Sequence, residues 1–463
     1  MFSKEVYSRR RSELRGRMEG GIGLFPGNTE APMNYPANPY RFRQDSDFLY
    51  FFGLDLPGFA GLIDFDSGKE ILFGNDFDMD DIVWMGPQPT VRELALRSGI
   101  TETAPLAELE TFIAGALSKN RKIHFLPPYR GDTKIMLASL LKENPCSMKT
   151  APSADLVKAV VSLRSLKGEA EISEIEKAVD IAREMHVTAM KMCRPGVKEQ
   201  EIAGAIEGIA LSMGAGVSFP VILSMDGQTL HNHSHDNILE KGRMMVTDAG
   251  AETNLHYASD ITRTTPVGGK FSTLQKEIYE TVLKANIEAI NATRPGVSNR
   301  DVHLLACRVL AGGLKDLGLM KGDVDEAVAL GAHALFMPHG IGHMLGLDVH
   351  DMEALGENFV GYSDDLRRSE QFGLAFLRFA LPYVPGHVFT IEPGCYFIPE
   401  LIESWKAEGK FTDFISYGQL EKYMSIGGIR IEDNILITAG GHKVLGRPIP
   451  KTVREIEELC SRD

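Results

Sequence analysis

The sequence predicts a two-domain α/β (α+β) protein whose second domain contains an internal duplication. Three observations support this prediction. The chain has 463 residues, of which 43% are hydrophobic, whereas a single hydrophobic core stops growing at about 250–300 residues. Strand-like runs and turns fill about the first 155 residues, and a long amphipathic helical pattern follows them. In the second half, one short motif occurs twice with helical patterns on both sides.

The N-terminal region is predicted to form an α/β domain. Short runs of aromatic and aliphatic residues, bounded by turn residues, predict strands at 48–53, 61–66 and 70–73. Apolar residues then recur at helical spacing from about Ser165 to Met192, with charged residues on the other face. We therefore place the boundary between Ala151 and Ser165, which gives domains 1–160 and 161–463.

The repeated motif is Arg-Pro-Gly-Val, found at 194–197 and again at 294–297. In both copies an amphipathic helix is predicted to end at the motif and another to begin after it. Proline stops a helix and glycine permits a left-handed turn, so the motif marks helix ends. A chance match of four residues is the alternative, but the matching helical context favours an internal duplication.

Charge and cysteine content narrow the class of protein. The net charge of −14 offers no basic stripe for phosphates, which disfavours a nucleic-acid partner. No run resembles a spanning helix of about 20 apolar residues, and the N-terminus lacks the apolar segment of a secretory signal. The five cysteines lie far apart without a CxxC motif, which suits a reducing compartment. We therefore expect a cytoplasmic protein with neither nucleic acid nor membrane as a partner.

Five potential metal ligands lie in segments that are typical of strands or tight turns. They are Asp248, Asp260, His343, Glu392 and Glu432. Taken alone, Asp248 and Glu392 could be turn residues, Glu432 could pair with a neighbouring arginine, and His343 could be structural. However, burying a carboxylate among β-branched residues is costly unless it is paired or binds a cation. A carboxylate-rich set with one imidazole suits Mn²⁺, Co²⁺, Fe²⁺ or Zn²⁺.

Taken in order, these residues and the segments around them resemble one family. The matching segments are 260–264, 339–343, 347–351, 391–394 and 428–433. They are similar to the ligand motifs of the methionine aminopeptidase, aminopeptidase P and prolidase superfamily, the pita-bread metallopeptidases of peptidase family M24. The pita-bread fold is itself an internal duplication, in agreement with the repeated motif. Asp248 and Asp260 are twelve residues apart where the family usually has eleven, and the turn at 253–255 can contain the extra residue.

The N-terminal region extends the resemblance. Residues 40–51 resemble the signature of the N-terminal domain of aminopeptidase P, which methionine aminopeptidases lack. The resemblance thus implies a creatinase/aminopeptidase P-type α/β domain followed by a pita-bread catalytic domain. It also implies a homodimer or homotetramer, with Trp84 near a contact between subunits.

The resemblance assigns metal-binding roles to the five donors. It implies two divalent ions per subunit, with Mn²⁺ preferred and Co²⁺, Fe²⁺ or Zn²⁺ as alternatives. Asp260 and Glu432 would bridge the ions. Asp248 would complete one site, and His343 and Glu392 would complete the other. A hydroxide that bridges the two ions would attack the peptide bond, with Glu392 as the general base.

Further residues are implied to contact the substrate. His231 and His350 would hydrogen-bond the substrate and the developing tetrahedral intermediate. The resemblance also assigns substrate binding to His339, Arg378 and Arg430.

The resemblance implies cleavage between an N-terminal residue and a following proline, but two activities remain open. The N-terminal domain favours an Xaa-Pro aminopeptidase, which acts on peptides with proline at the second position. Segments 398–402, 425–430 and 450–457 instead resemble prolidase, the Xaa-Pro dipeptidase. Arg378 lies where prolidases keep an arginine for the dipeptide carboxylate, although it could also be a surface arginine. We predict the aminopeptidase, with the dipeptidase as the alternative. A pita-bread binding module without metals is a remote third possibility, because all five ligands are present.

Overall fold

A computed structural model describes residues 1–461 and divides the chain into two compact units. The first comprises Met1–Arg164 together with the short segment Ala354–Phe359. The second comprises Ser165–Glu353 and the rest of the described chain. The residue predicted to end the first domain, residue 160, lies inside the last helix of the first unit.

The first unit is built around one twisted sheet. Its helices are α1 (Lys4–Arg15), α2 (Ser46–Phe52), α3 (Met79–Met85), α4 (Val91–Arg97), α5 (Glu108–Leu117), α6 (Gly131–Leu141) and α7 (Ala154–Arg164). Its strands are β1 (Ile22–Pro26), β2 (Ala60–Asp64), β3 (Glu70–Phe73), β4 (Glu102–Ala104) and β5 (Ile123–His124), in the sheet order β4-β3-β2-β1-β5. The three central strands are antiparallel, and β4 and β5 run parallel to their neighbours. Helices α5 and α6 pack on one face of this sheet.

The segment 48–53, predicted as a strand, is instead part of helix α2, so that prediction is wrong. The Asp45 carboxylate caps the helix by accepting a hydrogen bond from the backbone N–H three residues later at 2.8 Å. Gly53 ends the helix in a left-handed conformation with φ of 68°. All seven residues of the helix are buried. A short run that is apolar throughout has no periodicity that would distinguish a strand from a helix. The capping residue before the run therefore indicates the helix.

Residues 165–461 contain the repeated motif and the five candidate ligands. The helices are α8 (Glu169–Met192), α9 (Glu199–Met213), α10 (Thr273–Ala292), α11 (Asn299–Asp316), α12 (Val324–Leu330), α13 (Glu357–Gly361), α14 (Pro399–Ala407), α15 (Tyr417–Leu420) and α16 (Val453–Cys460), with 3-10 helices at Ala332–Leu335, Glu353–Leu355, Leu374–Phe376 and Glu421–Ile426. The strands are β6 (Gly216–Val217), β7 (Ile222–Ser224), β8 (Met244–Ala249), β9 (Ala251–Glu252), β10 (Ile261–Pro266), β11 (Val388–Ile391), β12 (Gly394–Tyr396), β13 (Gly428–Arg430), β14 (Asp433–Thr438) and β15 (Gly441–Val444). They pair as β10-β8-β7, β11-β14-β15, β12-β13 and β6-β9.

The two Arg-Pro-Gly-Val motifs adopt the same turn in equivalent places. The first lies between α8 and α9, and the second lies between α10 and α11. Gly196 and Gly296 have φ of 89° and 87°, a conformation that glycine adopts without steric cost. Their amides donate to the carbonyls of Leu239 and Tyr383, in each case at 2.9 Å. The equivalent hydrogen bonds and the matching helices confirm the predicted internal duplication.

Helix packing decides which face of β8 is available for polar side chains. Met185 of α8 and Ile206 of α9 belong to a buried cluster with Leu223 of β7 and Met245 of β8. Side chains alternate between the two faces of a strand, so Asp248 lies on the face of β8 opposite to Met245. Within residues 1–461, no helix has both the length and the hydropathy that a bilayer-spanning segment needs.

Candidate metal centre

Asp248 and Asp260 lie on one face of the β8–β10 ladder. Asp248 is opposite Thr262 in the antiparallel register, and Asp260 precedes Thr262 by two residues, next to the start of β10. Because side chains two residues apart share a face, the two carboxylates point to the same side. The twelve-residue spacing is contained in the turn 253–257, where His256 has φ of 62°.

Glu392 and Glu432 face each other at a break between two ladders. Ile391 is opposite Asp433 at the end of the β11–β14 ladder. The β12–β13 ladder continues with the same register, so the intervening Glu392 lies opposite Glu432. The backbone N–H of Glu432 donates to the Thr262 carbonyl at 3.0 Å. This bond joins the glutamate pair to the strand that follows Asp260.

His343 reaches the same place from the glycine-rich loop 339–346, which follows the 3-10 helix Ala332–Leu335. A Cβ at Gly342 would overlap the Thr390 carbonyl oxygen, so the loop approaches the strand closely only with glycine there. His343 Nδ1 lies 3.1 Å from the carbonyl oxygen of the next residue, and donation there leaves Nε2 as the lone-pair ligand. Nε2 is 3.3 Å from Asp260 Oδ2 and 3.7 Å from Glu392 Oε1.

The buried carboxylates leave oxygens without hydrogen-bond partners among the described residues. Asp248 Oδ2 accepts from Arg430 at 2.6 Å, and Glu432 Oε2 accepts from Thr262 Oγ1 at 2.8 Å. In contrast, Oδ1 of Asp248, Oδ1 of Asp260 and Oε1 of Glu432 are buried and unpartnered. An unpaired buried charge costs several kcal/mol, and a cation at these oxygens would remove that cost. The carboxylate-rich donor set therefore fits divalent metal ions.

Without a cation, the cluster disfavours ionised carboxylates. Burial, followed by the charge of Asp248, raises the pKa of Asp260 to about 6. Burial also raises the pKa of Glu392 to about 7 and that of Glu432 well above its usual range. Ligand atoms of Asp260, His343 and Glu432 lie within 4.8 Å of one another, so one divalent ion would stabilise several ionised groups at once.

Metal binding is therefore expected to release protons near pH 6. Asp260 and Glu392 are partly protonated there in the metal-free protein, and ligands must ionise to bind. The affinity for Mn²⁺ should rise as the pH increases from about 5 to about 7.5, because fewer protons then need to leave. Calorimetry at pH 6 in two buffers with different ionisation enthalpies measures the release. A binding enthalpy that is the same in both buffers would contradict the expectation.

Arg430 and His339, both predicted to bind substrate, form hydrogen bonds with other residues of the protein. Arg430 is buried, and its guanidinium donates to Asp248 at 2.6 Å and to the Tyr396 hydroxyl oxygen at 2.8 Å. His339 Nε2 lies 2.9 Å from the same hydroxyl, and its Nδ1 lies 3.8 Å from Glu392 Oε2. Burial lowers the pKa of His339 to about 4, so its ring is neutral. In this structure Arg430 fixes one oxygen of Asp248, and its contact with substrate stays a prediction.

His350 and Arg378 are joined by Glu353, a residue that was not identified from the sequence. Glu353 Oε2 is 2.6 Å from His350 Nδ1 and 2.9 Å from Arg378 Nη1. The hydrogen bond with His350 lowers the pKa of Glu353 to about 2. The His350 ring centroid is 4.2 Å from that of His343, and burial lowers the pKa of His350 to about 4. His350 thus lies beside a candidate metal ligand as a neutral imidazole.

His231 lies on an exposed loop after β7. Its side chain is exposed, and the carbonyl oxygen of Leu230 lies 3.5 Å from Arg430 Nη2. Farther along the same loop, His235 Nδ1 lies 3.0 Å from the Leu223 carbonyl oxygen. The loop therefore places His231 next to the arginine that holds Asp248.

Comparison with known proteins identifies the family. Residues 173–439, which include all five candidate ligands, match the profile of metallopeptidase family M24. The chain belongs to metallopeptidase family M24. Residues 7–124 match the aminopeptidase P N-terminal domain. These matches confirm the predicted family, and membership implies divalent metal ions as cofactors.

Relatives of this M24 chain include probable Xaa-Pro aminopeptidases and an Xaa-Pro dipeptidase, the two activities that the sequence left open. A probable Xaa-Pro aminopeptidase of Aspergillus clavatus is 33% identical over 474 residues, which cover 99% of this chain and 98% of that protein. A probable Xaa-Pro aminopeptidase of Fusarium vanettenii is 34% identical over 428 residues, covering 91% and 88%. The Xaa-Pro dipeptidase of Homo sapiens is 31% identical over 449 residues, covering 95% and 88%.

Solved structures confirm the fold predicted for this M24 chain. A variant of Escherichia coli aminopeptidase P in complex with substrate matches with a TM-score of 0.81 and 30% identity, covering 99% of this chain and 98% of that one. Aminopeptidase PepP of Pseudomonas aeruginosa matches with a TM-score of 0.82 and 29% identity, covering 100% and 98%. The chain therefore has an aminopeptidase P-type N-terminal domain followed by a pita-bread catalytic domain.

Proposed function

We propose that the protein is a metal-dependent Xaa-Pro aminopeptidase, which removes the first residue from peptides with proline at the second position. The observation that carries the proposal is the group of buried carboxylates with unpartnered oxygens. Similarity over nearly the whole chain to Xaa-Pro aminopeptidases supports the specificity. Proline needs a dedicated site because its nitrogen carries no hydrogen and its ring fixes φ.

The side chains proposed to hold two divalent ions are Asp248, Asp260, His343, Glu392 and Glu432. When bound, the ions would lower the pKa of a shared water towards neutrality and polarise the scissile carbonyl. Carboxylates outnumber the single imidazole in this set and no thiolate belongs to it, which favours Mn²⁺ as the native ion. Elemental analysis, followed by chelation and return of one ion at a time, tests that choice.

Glu392 is the proposed general base. Its side chain is 19% exposed, against 8% for Asp260, so water and substrate can reach it. Burial makes it more basic than an ordinary carboxylate, with a pKa of about 7. His350 donates Nδ1–H to Glu353, which leaves its Nε2 as an acceptor towards the substrate.

Glu353 favours the aminopeptidase over the dipeptidase. Binding the C-terminal carboxylate of a dipeptide would need the Arg378 guanidinium, but its Nη1 already lies 2.9 Å from the Glu353 carboxylate. A dipeptide would therefore bring a second carboxylate to an occupied ion pair, whereas a longer peptide presents a neutral amide. The Xaa-Pro dipeptidase is the second candidate, because Arg378 is present and the human dipeptidase is 31% identical.

The deciding experiment compares an Xaa-Pro dipeptide with an Xaa-Pro-Yaa tripeptide in the presence of Mn²⁺. We expect kcat/KM to be at least about tenfold higher for the tripeptide, since about 1.4 kcal/mol of like-charge repulsion suffices for that factor. Removal of metal by a chelator should abolish both reactions. A preference for the dipeptide would establish the dipeptidase, and no metal-dependent cleavage of either would favour the binding module.

Glu353→Gln tests the structural reason for the preference. Glutamine keeps a hydrogen-bond acceptor for His350 but removes the charge that pairs with Arg378. We expect the tripeptide-to-dipeptide ratio of kcat/KM to fall by roughly tenfold in this variant, because the guanidinium becomes available to a substrate carboxylate. The double variant with Arg378→Met is the matched control; it has neither the repelling carboxylate nor the attracting guanidinium, so its ratio should lie between those of the wild type and Glu353→Gln. An unchanged ratio in Glu353→Gln would show that Glu353 does not determine the preference for the tripeptide.

We also propose that the protein forms a homodimer or homotetramer and works in the cytoplasm. Helix α3 exposes Met79, Val83, Trp84 and Met85, with Trp84 84% exposed, and exposed apolar surface of this kind marks interaction sites. The five cysteines are free thiols, which suits a reducing compartment. Light scattering on the protein and on Trp84→Glu tests the assembly, and cell fractionation tests the location.

A further inference from the structure

A second group of metal-binding side chains lies in the pita-bread domain, and it shares no residue with the carboxylate centre. It consists of His303 and Cys307 on α11 and His333 in the 3-10 helix that follows α12. Their exposed fractions are 0%, 0% and 2%. His303 and Cys307 are four residues apart on a helix, so both side chains point to the same side.

The distance between His303 and Cys307 matches a zinc site. His303 Nε2 lies 3.6 Å from Cys307 Sγ. Tetrahedral zinc with Zn–S of about 2.3 Å and Zn–N of about 2.0–2.1 Å separates sulfur and nitrogen ligands by roughly 3.5–3.6 Å. One donor atom from each of the three residues lies within 4.8 Å of the others. A small inward movement of His333 would therefore complete three ligands around one ion.

The unpartnered ring nitrogens of His333 also indicate a missing ligand. Both of its ring nitrogens are buried without a partner among the described residues. A neutral imidazole carries one donor and one acceptor, and each buried group left unsatisfied costs about 1–3 kcal/mol. Burial lowers the pKa of His333 to about 4 and that of His303 to about 3, so both rings are neutral, as metal ligation requires.

We propose that His303, Cys307 and His333 form a third metal site that binds Zn²⁺ and ties α11 to the segment after α12. Two imidazoles and a thiolate form a soft donor set, whereas the peptidase centre is rich in carboxylate oxygen, so the two sites select different ions. On binding, the Cys307 S–H bond breaks, the proton leaves to solvent, and the thiolate sulfur donates to zinc. Burial raises the pKa of the Cys307 thiol above its usual value, and the positive charge of the ion offsets that effect. The fourth coordination position is left to water.

Cobalt substitution in the full-length protein tests this site separately from the peptidase centre. Co²⁺ replaces zinc in such sites, and a cobalt–thiolate bond gives charge-transfer absorption in the near ultraviolet. The peptidase centre has no sulfur donor among its candidate ligands, so this absorption reports the new site alone. Protein is produced in medium supplemented with Co²⁺, which lets the ion enter during folding, and its absorption is compared with that of protein produced with Zn²⁺ instead.

We expect the thiolate absorption in the wild-type protein produced with Co²⁺ and none in the protein produced with Zn²⁺. Cys307→Ser should lack the absorption and retain Xaa-Pro peptidase activity, which also shows that the variant folds. Cys193→Ser is the matched control, because Cys193 is an equally buried cysteine outside the group, and it should keep the absorption. No thiolate absorption in the wild-type protein, or the same absorption in Cys307→Ser, would overturn the proposal. Neither result depends on which peptide the enzyme prefers.

Discussion

Replacing Glu432 with alanine is expected to reduce peptidase activity by at least about 10³-fold, because changing residues that only orient metal ligands already costs about 10–100-fold. Glu432 is buried and offers one unpartnered oxygen to a cation. Its other oxygen accepts a hydrogen bond from Thr262 at 2.8 Å, which fixes its orientation. The measurements are kcat/KM on an Xaa-Pro-Yaa tripeptide and the number of Mn²⁺ ions bound per chain.

Glu432→Gln separates loss of a metal ligand from loss of the fold. Glutamine keeps the size of the side chain and an acceptor for Thr262, but it has no charge. Burial beside Asp260 and Glu392 raises the pKa of Glu432, so its ionised form destabilises the metal-free protein. We expect Glu432→Gln to lose activity as alanine does, yet to melt at a higher temperature than the wild type after chelation near pH 8.

The matched control for both variants is Glu458→Gln, at a side chain that is 57% exposed. It should change neither activity nor melting temperature. Near-normal kcat and metal content in Glu432→Gln would contradict the assignment of Glu432 as a metal ligand. A lower melting temperature in Glu432→Gln, with activity lost, would instead indicate that the charge stabilises the metal-free fold.

The five candidate ligands follow from the resemblance of the segments around them to the family motifs, because each donor taken singly could also be a turn, ion-pair or structural residue. Asp248 and Asp260 belong to strand-like segments, and strand alternation then brings them to one face. The same reasoning applies to Glu392 and Glu432, which are cross-strand neighbours once the register is known. The unusual spacing of the aspartates has no effect on their shared face, because the extra residue lies in the turn around His256.

Other features depended on tertiary contacts that sequence patterns do not carry. Glu353 is three residues beyond His350, and only the folded turn and the approach of Arg378 show that one carboxylate binds both. His303 and Cys307 have a recognisable helical spacing, but His333 comes from another element and completes the group only in the fold. The buried helix α2 was predicted as a strand because the apolar run has no helical periodicity, and the residue that caps the helix lies before that run.

Arg263→Met is expected to destabilise the protein by about 3–5 kcal/mol, the usual cost of leaving one partner of a buried ion pair. Arg263 is 1% exposed and pairs with Asp433 at 2.7 Å. Its Nη1 also donates to the carbonyl oxygens of Thr262 and Glu432 at 2.9 and 2.6 Å. Although burial raises the pKa of Asp433, the charges of Arg263 and Lys451 hold that pKa well below its usual range. Methionine would leave the carboxylate with Lys451, 2.7 Å away, so the lower end of the range is expected.

The measurement is urea unfolding, with the free energy taken from the transition of the catalytic domain. Arg454→Met is the matched control, because the Arg454 side chain is 85% exposed and lies 3.8 Å from Glu458. A surface pair of this kind is worth less than about 1 kcal/mol. Arg263→Lys retains the charge without the fork of donors, so its stability should fall between the wild type and Arg263→Met. An Arg263→Met protein as stable as Arg454→Met would show that the buried pair adds no net stability.

The position of Arg263 also connects stability with metal binding. By donating to the carbonyls of Thr262 and Glu432, it holds the strand that follows Asp260 against the segment that carries Glu432. Outer residues of this kind typically change metal affinity by about 10–100-fold when they are replaced. The Mn²⁺ affinity of Arg263→Met should therefore fall together with its stability, whereas Arg454→Met should change neither. A fall in stability at unchanged affinity would show that the carboxylates keep their relative positions without the arginine, through the ladder register alone.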